Sequence, residues 1–269
     1  MSAQILSLEG VSKSFGGLEV ISDVGFAVPT GGRTALIGPN GAGKTTLFNL
    51  IFGVYRQDAG TIRLEGEDIS DVASRRRIGL GMARSFQNIR LMPHLSVTEN
   101  IMLGQQSKAG SLANMLTPLS LFGRSRWRGE AEALLARMNL GTYPGEVVAT
   151  LPYGIRKKIE VVRALAASPK LLLLDEPAAG LNPSETAALR DFLIEIAEGG
   201  VTLLVVEHDM GFVRSLCDHA VVLNFGRKIY DGPTAKVQEN PAVLEAYLGR
   251  RHAPDAPANS AGEGADHAA

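Results

Sequence analysis

Gly38-Pro39-Asn40-Gly41-Ala42-Gly43-Lys44-Thr45-Thr46 is a P-loop, and its reading decides the fold. The apolar run Thr34-Ala35-Leu36-Ile37 ahead of it has the texture of a buried strand, and Leu47-Phe48-Asn49-Leu50-Ile51-Phe52 behind it has that of a helix. A loop at such a junction turns successive backbone N–H groups inward at the positive end of a helix, which makes a cradle for phosphates. Gly41 and Gly43 let the backbone approach an anion with no Cβ in the way. Lys44 is placed to reach the β- and γ-phosphates, and the Thr45 hydroxyl to ligate Mg²⁺. A glycine-rich turn without a ligand needs none of this pattern. The stretch implies a nucleoside triphosphate.

The rest of the composition narrows what such a site can serve. The chain has 269 residues, of which 45% are hydrophobic, enough for one large domain or two lobes around a sizeable core. Its formal charge of -1 comes from 27 basic and 28 acidic residues, a balance that argues against bulk nucleic acid as the main partner. A lone cysteine, Cys217, builds no intrachain disulfide and fits a small core residue. The start, Met1-Ser2-Ala3-Gln4, shows no secretory pattern, and no apolar window is long enough to cross a bilayer. A soluble, cytosolic chain is expected.

Outward from the loop, residues 4–9 and 20–28 alternate as half-buried strands about a Gly16-Gly17 turn. Phe15, just before that turn, is either a strand-end core aromatic or a ring that stacks on adenine. Further strands are expected at 61–64 and 81–86, the second delivering Gln87 as a candidate sensor of Mg²⁺ or of the attacking water. Ser96-Val97-Thr98-Glu99 has the form of a capping box and opens a helix through Met102. Residues 107–128 look like a loop, and 130–138 form an amphipathic helix, so a mostly helical lobe interrupts the strands. The basic cluster Arg124–Arg128 fits a solvated face, or a patch near anionic lipid. Leu151-Pro152-Tyr153-Gly154-Ile155 turns into a helix over 156–167, with Pro152 near its start where a missing N–H costs nothing.

Leu171-Leu172-Leu173-Leu174-Asp175-Glu176-Pro177 is a strand buried on both faces with two carboxylates at its C-terminal end, the edge where open α/β sheets bind ligands. Asp175 is suited to hold Mg²⁺, through water, and Glu176 to polarise the water that attacks the γ-phosphate. A helix at 184–198 and a strand at 201–206 lead to Glu207-His208-Asp209, where His208 either caps the following helix or, as parallel-sheet geometry favours, hydrogen-bonds the γ-phosphate. Strands at 219–224 and 227–230 and two short helices close the fold near Leu248. Residues 252–269 carry no apolar period and are expected to be a disordered tail.

Taken together, the P-loop, Gln87, the Leu-Pro-Tyr-Gly turn, Asp175-Glu176 and His208 resemble the ATP-binding subunit of an ABC transporter over residues 4 to about 250. That resemblance implies an α/β fold: a P-loop ABC ATPase with a mixed β core, an N-terminal antiparallel β portion and a helical subdomain, about 96–168, inserted in a domain spanning 1–251. It implies ATP and Mg²⁺ as ligands and head-to-tail pairing with a second ATPase subunit. Each ATP would then lie between one subunit's P-loop and the other's signature turn, so that Pro152, Tyr153 and Gly154 contact the partner's nucleotide. Ala83-Arg84-Ser85-Phe86-Gln87-Asn88-Ile89-Arg90-Leu91, Ala178-Ala179-Gly180-Leu181-Asn182-Pro183, Glu207-His208-Asp209-Met210 and Ala246-Tyr247-Leu248-Gly249 look like the larger ATPase of branched-chain amino acid importers. Two membrane permeases, a shorter second ATPase and a periplasmic binding protein would be the partners, with the chain peripheral on the cytoplasmic face of the inner membrane.

Competing readings are a soluble ATPase acting on ribosomes or DNA, a small-molecule kinase, and a transporter ATPase for lipid or lipopolysaccharide export or for urea import. The first often shows paired cassettes or a long coiled coil, and the second has no need of the 151–155 turn or His208. The signature turn departs from the common form LSGGQ, with Pro152 for serine, Tyr153 for glycine and Ile155 for glutamine. Unequal ATP sites are therefore expected.

Overall fold

A computed structural model describes residues 3–85, 89–105 and 126–248. Strands β1 (Gln4–Phe15) and β2 (Leu18–Pro29) pair antiparallel across the Gly16–Gly17 turn. With β4 (Ala59–Leu64) and β5 (Glu67–Asp68) they form a sheet of order β2-β1-β4-β5. β1 runs well past residue 9 because Gly10 adopts a left-handed φ of 61° and the register shifts between Leu8 and Val11, bending the strand without ending it.

The second sheet has the order β10-β9-β3-β8-β7-β6. Its strands are β3 (Arg33–Ile37), β6 (Met82–Arg84), β7 (Leu171–Asp175), β8 (Thr202–Val206), β9 (His219–Asn224) and β10 (Arg227–Pro233). All neighbours are parallel except β9 and β10, so the core is mixed, as the sequence led us to expect. The all-apolar strands explain themselves once both faces are seen. Leu172, Leu174, Leu203, Val205, Ala220 and Val222 enter one buried cluster, whereas Leu171, Leu173, Leu204, Val206, Val221 and Leu223 enter the other.

Helix α1 (Lys44–Ile51) packs with the antiparallel sheet on the second of those faces. There a short helix, α2 (Ser74–Gly79), brings Arg77 to 1% exposure, where its guanidinium donates to Val72 O, Leu50 O, Ile51 O and Ile69 O. Burial pulls its pKa down to about 10. Between β6 and β7 the described elements are helical, namely α3 (Val97–Gln105), α4 (Arg126–Arg137) and α5 (Tyr153–Leu165), besides a 3-10 turn at Val148–Thr150. After β7 come α6 (Pro183–Glu198), α7 (Met210–Leu216), a 3-10 turn at Thr234–Glu239 and α8 (Pro241–Leu248).

Two boundaries correct the sequence reading. Helix α5 begins at Tyr153 rather than 156, since Pro152 takes the extended N-cap conformation and the chain turns helical at once. Helix α4 begins at Arg126, inside the stretch read as loop, where Arg126 pairs with Glu130 one turn on. Cys217 is buried and its thiol is pushed up to about 12, as a core residue requires. The expectations for Gln87, for 107–125 and for the tail at 252–269 lie outside the described residues.

Candidate nucleotide site

β3 lies between β8 and β9, so the loop that leaves it at Gly38 emerges at the middle of the parallel sheet's C-terminal edge. Gly38 sits so tightly that a Cβ there would lie 2.2 Å from Leu223 O. Gly41, at φ 80°, faces open space instead. Ala42 N–H donates to Pro39 O (3.1 Å), and Gly226 N–H donates to Ala42 O (3.0 Å), which moors the loop to the β9–β10 turn. Gly43 caps α1 in a left-handed conformation with no side-chain cap, leaving the first helical N–H groups for a ligand. Lys44 is 8% exposed, and its Nζ donates to Gly38 O (2.7 Å) and Pro39 O (3.0 Å). Burial lowers its pKa while the charge of Glu176 works the other way, so the lysine and that carboxylate share one field. Asn40 and Thr45 are exposed; Pro39 and Thr46 are half-buried.

Asp175 ends β7 and is buried. Glu176 follows with a left-handed φ of 44°, rare for a residue with a side chain, while its N–H still extends the ladder to Val206 O at 2.9 Å. His208 Nδ1 stands 3.9 Å from Glu176 Oε1 and 3.8 Å from Glu207 Oε2. Asp209, not the histidine, caps the next helix, accepting from Gly211 N–H and Phe212 N–H. An open cavity of about 150 Å³ lies between Ala178–Leu181 and Glu207–Asp209.

Other expected residues lie at the margins. Phe15 is 41% exposed and meets Tyr55 edge-on at 5.3 Å, so it is a surface ring and not a core one. At the signature turn, Tyr153 Oη donates to Ala179 O (3.4 Å), and a Cβ on Gly154 would lie 2.6 Å from Glu185 Oε1. The turn thus rests against the chain's own 178–185 segment. Gln87 lies outside the described residues.

Three site residues escaped the sequence reading. Glu207, at 1% exposure, accepts from Ala178 N–H (3.0 Å) and His208 N–H (3.1 Å), and burial holds its pKa above the usual carboxylate range. Arg84 donates to Asp175. Tyr247 lies beside the loop, its phenol raised by partial burial and pulled partly back by the Gly38 backbone. All three stand in stretches that carry the family resemblance, but the contacts that give them a place here, to Ala178, Asp175 and Gly38, are distant in sequence. For a triphosphate the fit is good: open space over Gly41, a lysine beside it, uncapped N–H groups. The oxygen donors Thr45 and Asp175 are of the hard type that Mg²⁺ takes along with phosphates and water.

The geometry agrees with comparisons to known proteins. A family model described as "ABC transporter" matches residues 21–179, and one described as "Branched-chain amino acid ATP-binding cassette transporter" matches 227–253. The high-affinity branched-chain amino acid transport ATP-binding protein BraF of Pseudomonas aeruginosa is 39% identical over 93% of this chain and 99% of its own. LivG of Escherichia coli, with the same description, is 36% identical over 93% and 99%. Among solved structures, a nucleotide-free ATP-binding cassette from an ABC transporter aligns with a TM-score of 0.80 at 30% identity, covering 91% of this chain and 99% of the other. An ATP-binding cassette in its ADP conformation aligns as well, at 0.80 and 30%. Among the described residues no helix is long and apolar enough to cross a membrane.

Proposed function

The chain belongs to the ABC transporter family of ATP-binding subunits, and on that premise we propose how its residues do the work. It is the ATP-hydrolysing motor subunit of an ABC importer for branched-chain amino acids, and its partners include membrane permease subunits. Residues 1–251 are taken as one ATPase domain with a helical subdomain at about 96–168.

ATP enters the cradle of residues 38–46, where Lys44 exchanges its loop carbonyls for phosphate oxygens and stays charge-assisted throughout. Thr45 and Asp175, with Gln87, would hold Mg²⁺, which would neutralise phosphate charge. The Phe15 ring takes the adenine face. Glu176 accepts the proton of the attacking water, and its left-handed backbone, set at the end of a fully buried strand, fixes where that carboxylate stands. His208, beside it, donates to the γ-phosphate. A second ATPase subunit supplies the signature turn from across a head-to-tail interface, and this chain's Pro152-Tyr153-Gly154 does the same in return. Closing on two ATPs and opening after hydrolysis moves the helical subdomain, on which a cytoplasmic helix of the permease rests. The subunit works as a peripheral protein on the cytoplasmic face of the inner membrane, and a periplasmic binding protein delivers the cargo.

One observation carries this reading: the P-loop, Glu176 and His208 converge at the C-terminal edge of one sheet, where His208 Nδ1 stands 3.9 Å from Glu176 Oε1 and Lys44 feels the Glu176 charge. The test is reconstitution in liposomes with the permeases, the second ATPase and the binding protein. Leucine uptake that requires ATP and disappears with Lys44→Ala is the expected result; uptake or ATP turnover unaffected by Lys44→Ala overturns it.

A further inference from the structure

Arg84 is the last residue of β6, and its side chain is 6% exposed. Burying a guanidinium is costly, and each donor that meets an acceptor offsets part of that cost. Here Nη2 donates to Asp175 Oδ2 at 2.7 Å, Nη1 donates to Asn49 Oδ1 at 2.6 Å, and the group lies over the Phe48 ring at 4.9 Å. These partners come from β7 and from α1, the helix that begins with Lys44 and Thr45. One cation therefore joins the strand that carries Asp175, the helix that carries the phosphate-binding residues, and the strand that leads toward Gln87.

A planar fork held on two sides and stacked on a third fixes the direction of whatever it binds, which an ammonium does not. Asp175 meets it through one carboxylate oxygen, which leaves the other for a hydrated cation. Groups that hold a metal's ligand from behind set its orientation and its basicity, and their loss typically weakens the metal about 10- to 100-fold.

We propose that Arg84 is a positioning residue that holds Asp175 in the orientation required for Mg²⁺ and ties that orientation to α1 through Asn49. The inference rests on the reading of Asp175 as the Mg²⁺ carboxylate. It is separable from a simple structural role because its effect falls on magnesium and not on nucleotide alone.

The experiment titrates MgCl₂ into the full chain carrying Glu176→Gln, with a fluorescent ATP analogue bound, and compares Arg84→Lys, Asn49→Ala and Asp175→Asn. Arg84→Lys keeps the charge but loses the fork, and Asn49→Ala keeps Arg84 but frees one side of it, so Asn49→Ala carries the test should Arg84→Lys fail to fold. The expected result is a Mg²⁺ midpoint raised about 10-fold or more in Arg84→Lys, less in Asn49→Ala, with nucleotide affinity in EDTA unchanged. An unchanged midpoint in both, while Asp175→Asn shifts it, overturns the proposal and leaves Arg84 a packing residue. A lowered midpoint overturns it too, since Arg84 would then compete with magnesium. An Asp175→Asn titration equal to the parent's sinks the reading of the metal site and the proposal with it.

Discussion

Glu176 is where the chemistry is most exposed to a single substitution. Its backbone is left-handed, its charge acts on Lys44, and His208 Nδ1 is 3.9 Å from its carboxylate. Glu176→Gln keeps the shape and removes the base, so turnover should fall by about 10²–10⁴ with ATP affinity retained; an unchanged rate in the assembled transporter would dispose of the role. The loop glycines separate space from strain. At Gly38 a Cβ meets Leu223 O at 2.2 Å, so Gly38→Ala must shift backbone and should lower Tm steeply. At Gly41 nothing lies within 4 Å, so Gly41→Ala should cost only about 1–2 kcal/mol of left-handed strain while its methyl group, in the phosphate space, weakens ATP. Equal Tm values for the two would contradict the geometry. Residues such as Lys44 and Glu176 were legible because a phosphate cradle and a strand-end carboxylate are local patterns. Arg84 was not, because the carboxylate that accounts for its burial lies 91 residues away.

Element ends were legible where a side chain closes on its own backbone. Ser96 and Glu99 form the expected capping box at α3: Ser96 N–H and Oγ–H donate to Glu99 Oε2 at 2.8 Å each, and Glu99 N–H returns to Ser96 Oγ at 3.3 Å. Asn182 and Glu185 build the same device at α6. The start of α5 was misplaced because Pro152 caps by conformation alone, with no side-chain bond to announce it. Helix α2 was missed because its hold on the fold is Arg77, a charge that seeks carbonyls and leaves no apolar period. The hydrogen bonds from Ser96, backbone first, hold the Glu99 carboxyl below the usual range. Such a group stabilises the fold above its unfolded value of about 4.3, and that contribution is lost as pH falls through the lower folded value. Glu99→Gln should therefore cost about 0.5 kcal/mol at pH 7, where a half-exposed cap is worth that order. The gap to the parent should close as the pH of urea unfolding drops below 4. A gap independent of pH would show that the charge has no part in the cap.

At the scale of the whole molecule, the sheet's buried strands put the glycine-rich loop and Glu176, the proposed base, on one edge, whereas the Pro152-Tyr153-Gly154 turn opens α5 and leans on the 178–185 segment. That separation fits a site completed by a second subunit, and it makes the two sites of a pair independently variable. The site on this chain's P-loop has Lys44, Asp175, Glu176 and His208 intact. In the proposed head-to-tail pair the opposite site would use this chain's Leu-Pro-Tyr-Gly-Ile, where the missing serine hydroxyl would remove a hydrogen bond to charged phosphate worth roughly 1.5–3 kcal/mol. Pro152 does leave the first N–H groups of α5 without a side-chain cap, so backbone donors remain. Against them stands Glu185, whose carboxylate occupies the space a Cβ on Gly154 would need, at the positive end of that helix, and offsets part of the dipole a phosphate would use. The balance favours a weaker second site, by about ten- to a hundredfold in closure or catalysis. Glu176→Gln in this chain should then lower turnover of the assembled transporter more than the matching substitution in the second ATPase does. Pro152→Ser should raise turnover by restoring the hydroxyl. Equal losses from the two glutamate variants, together with no gain from Pro152→Ser, would mean that backbone donors alone close both sites equally well.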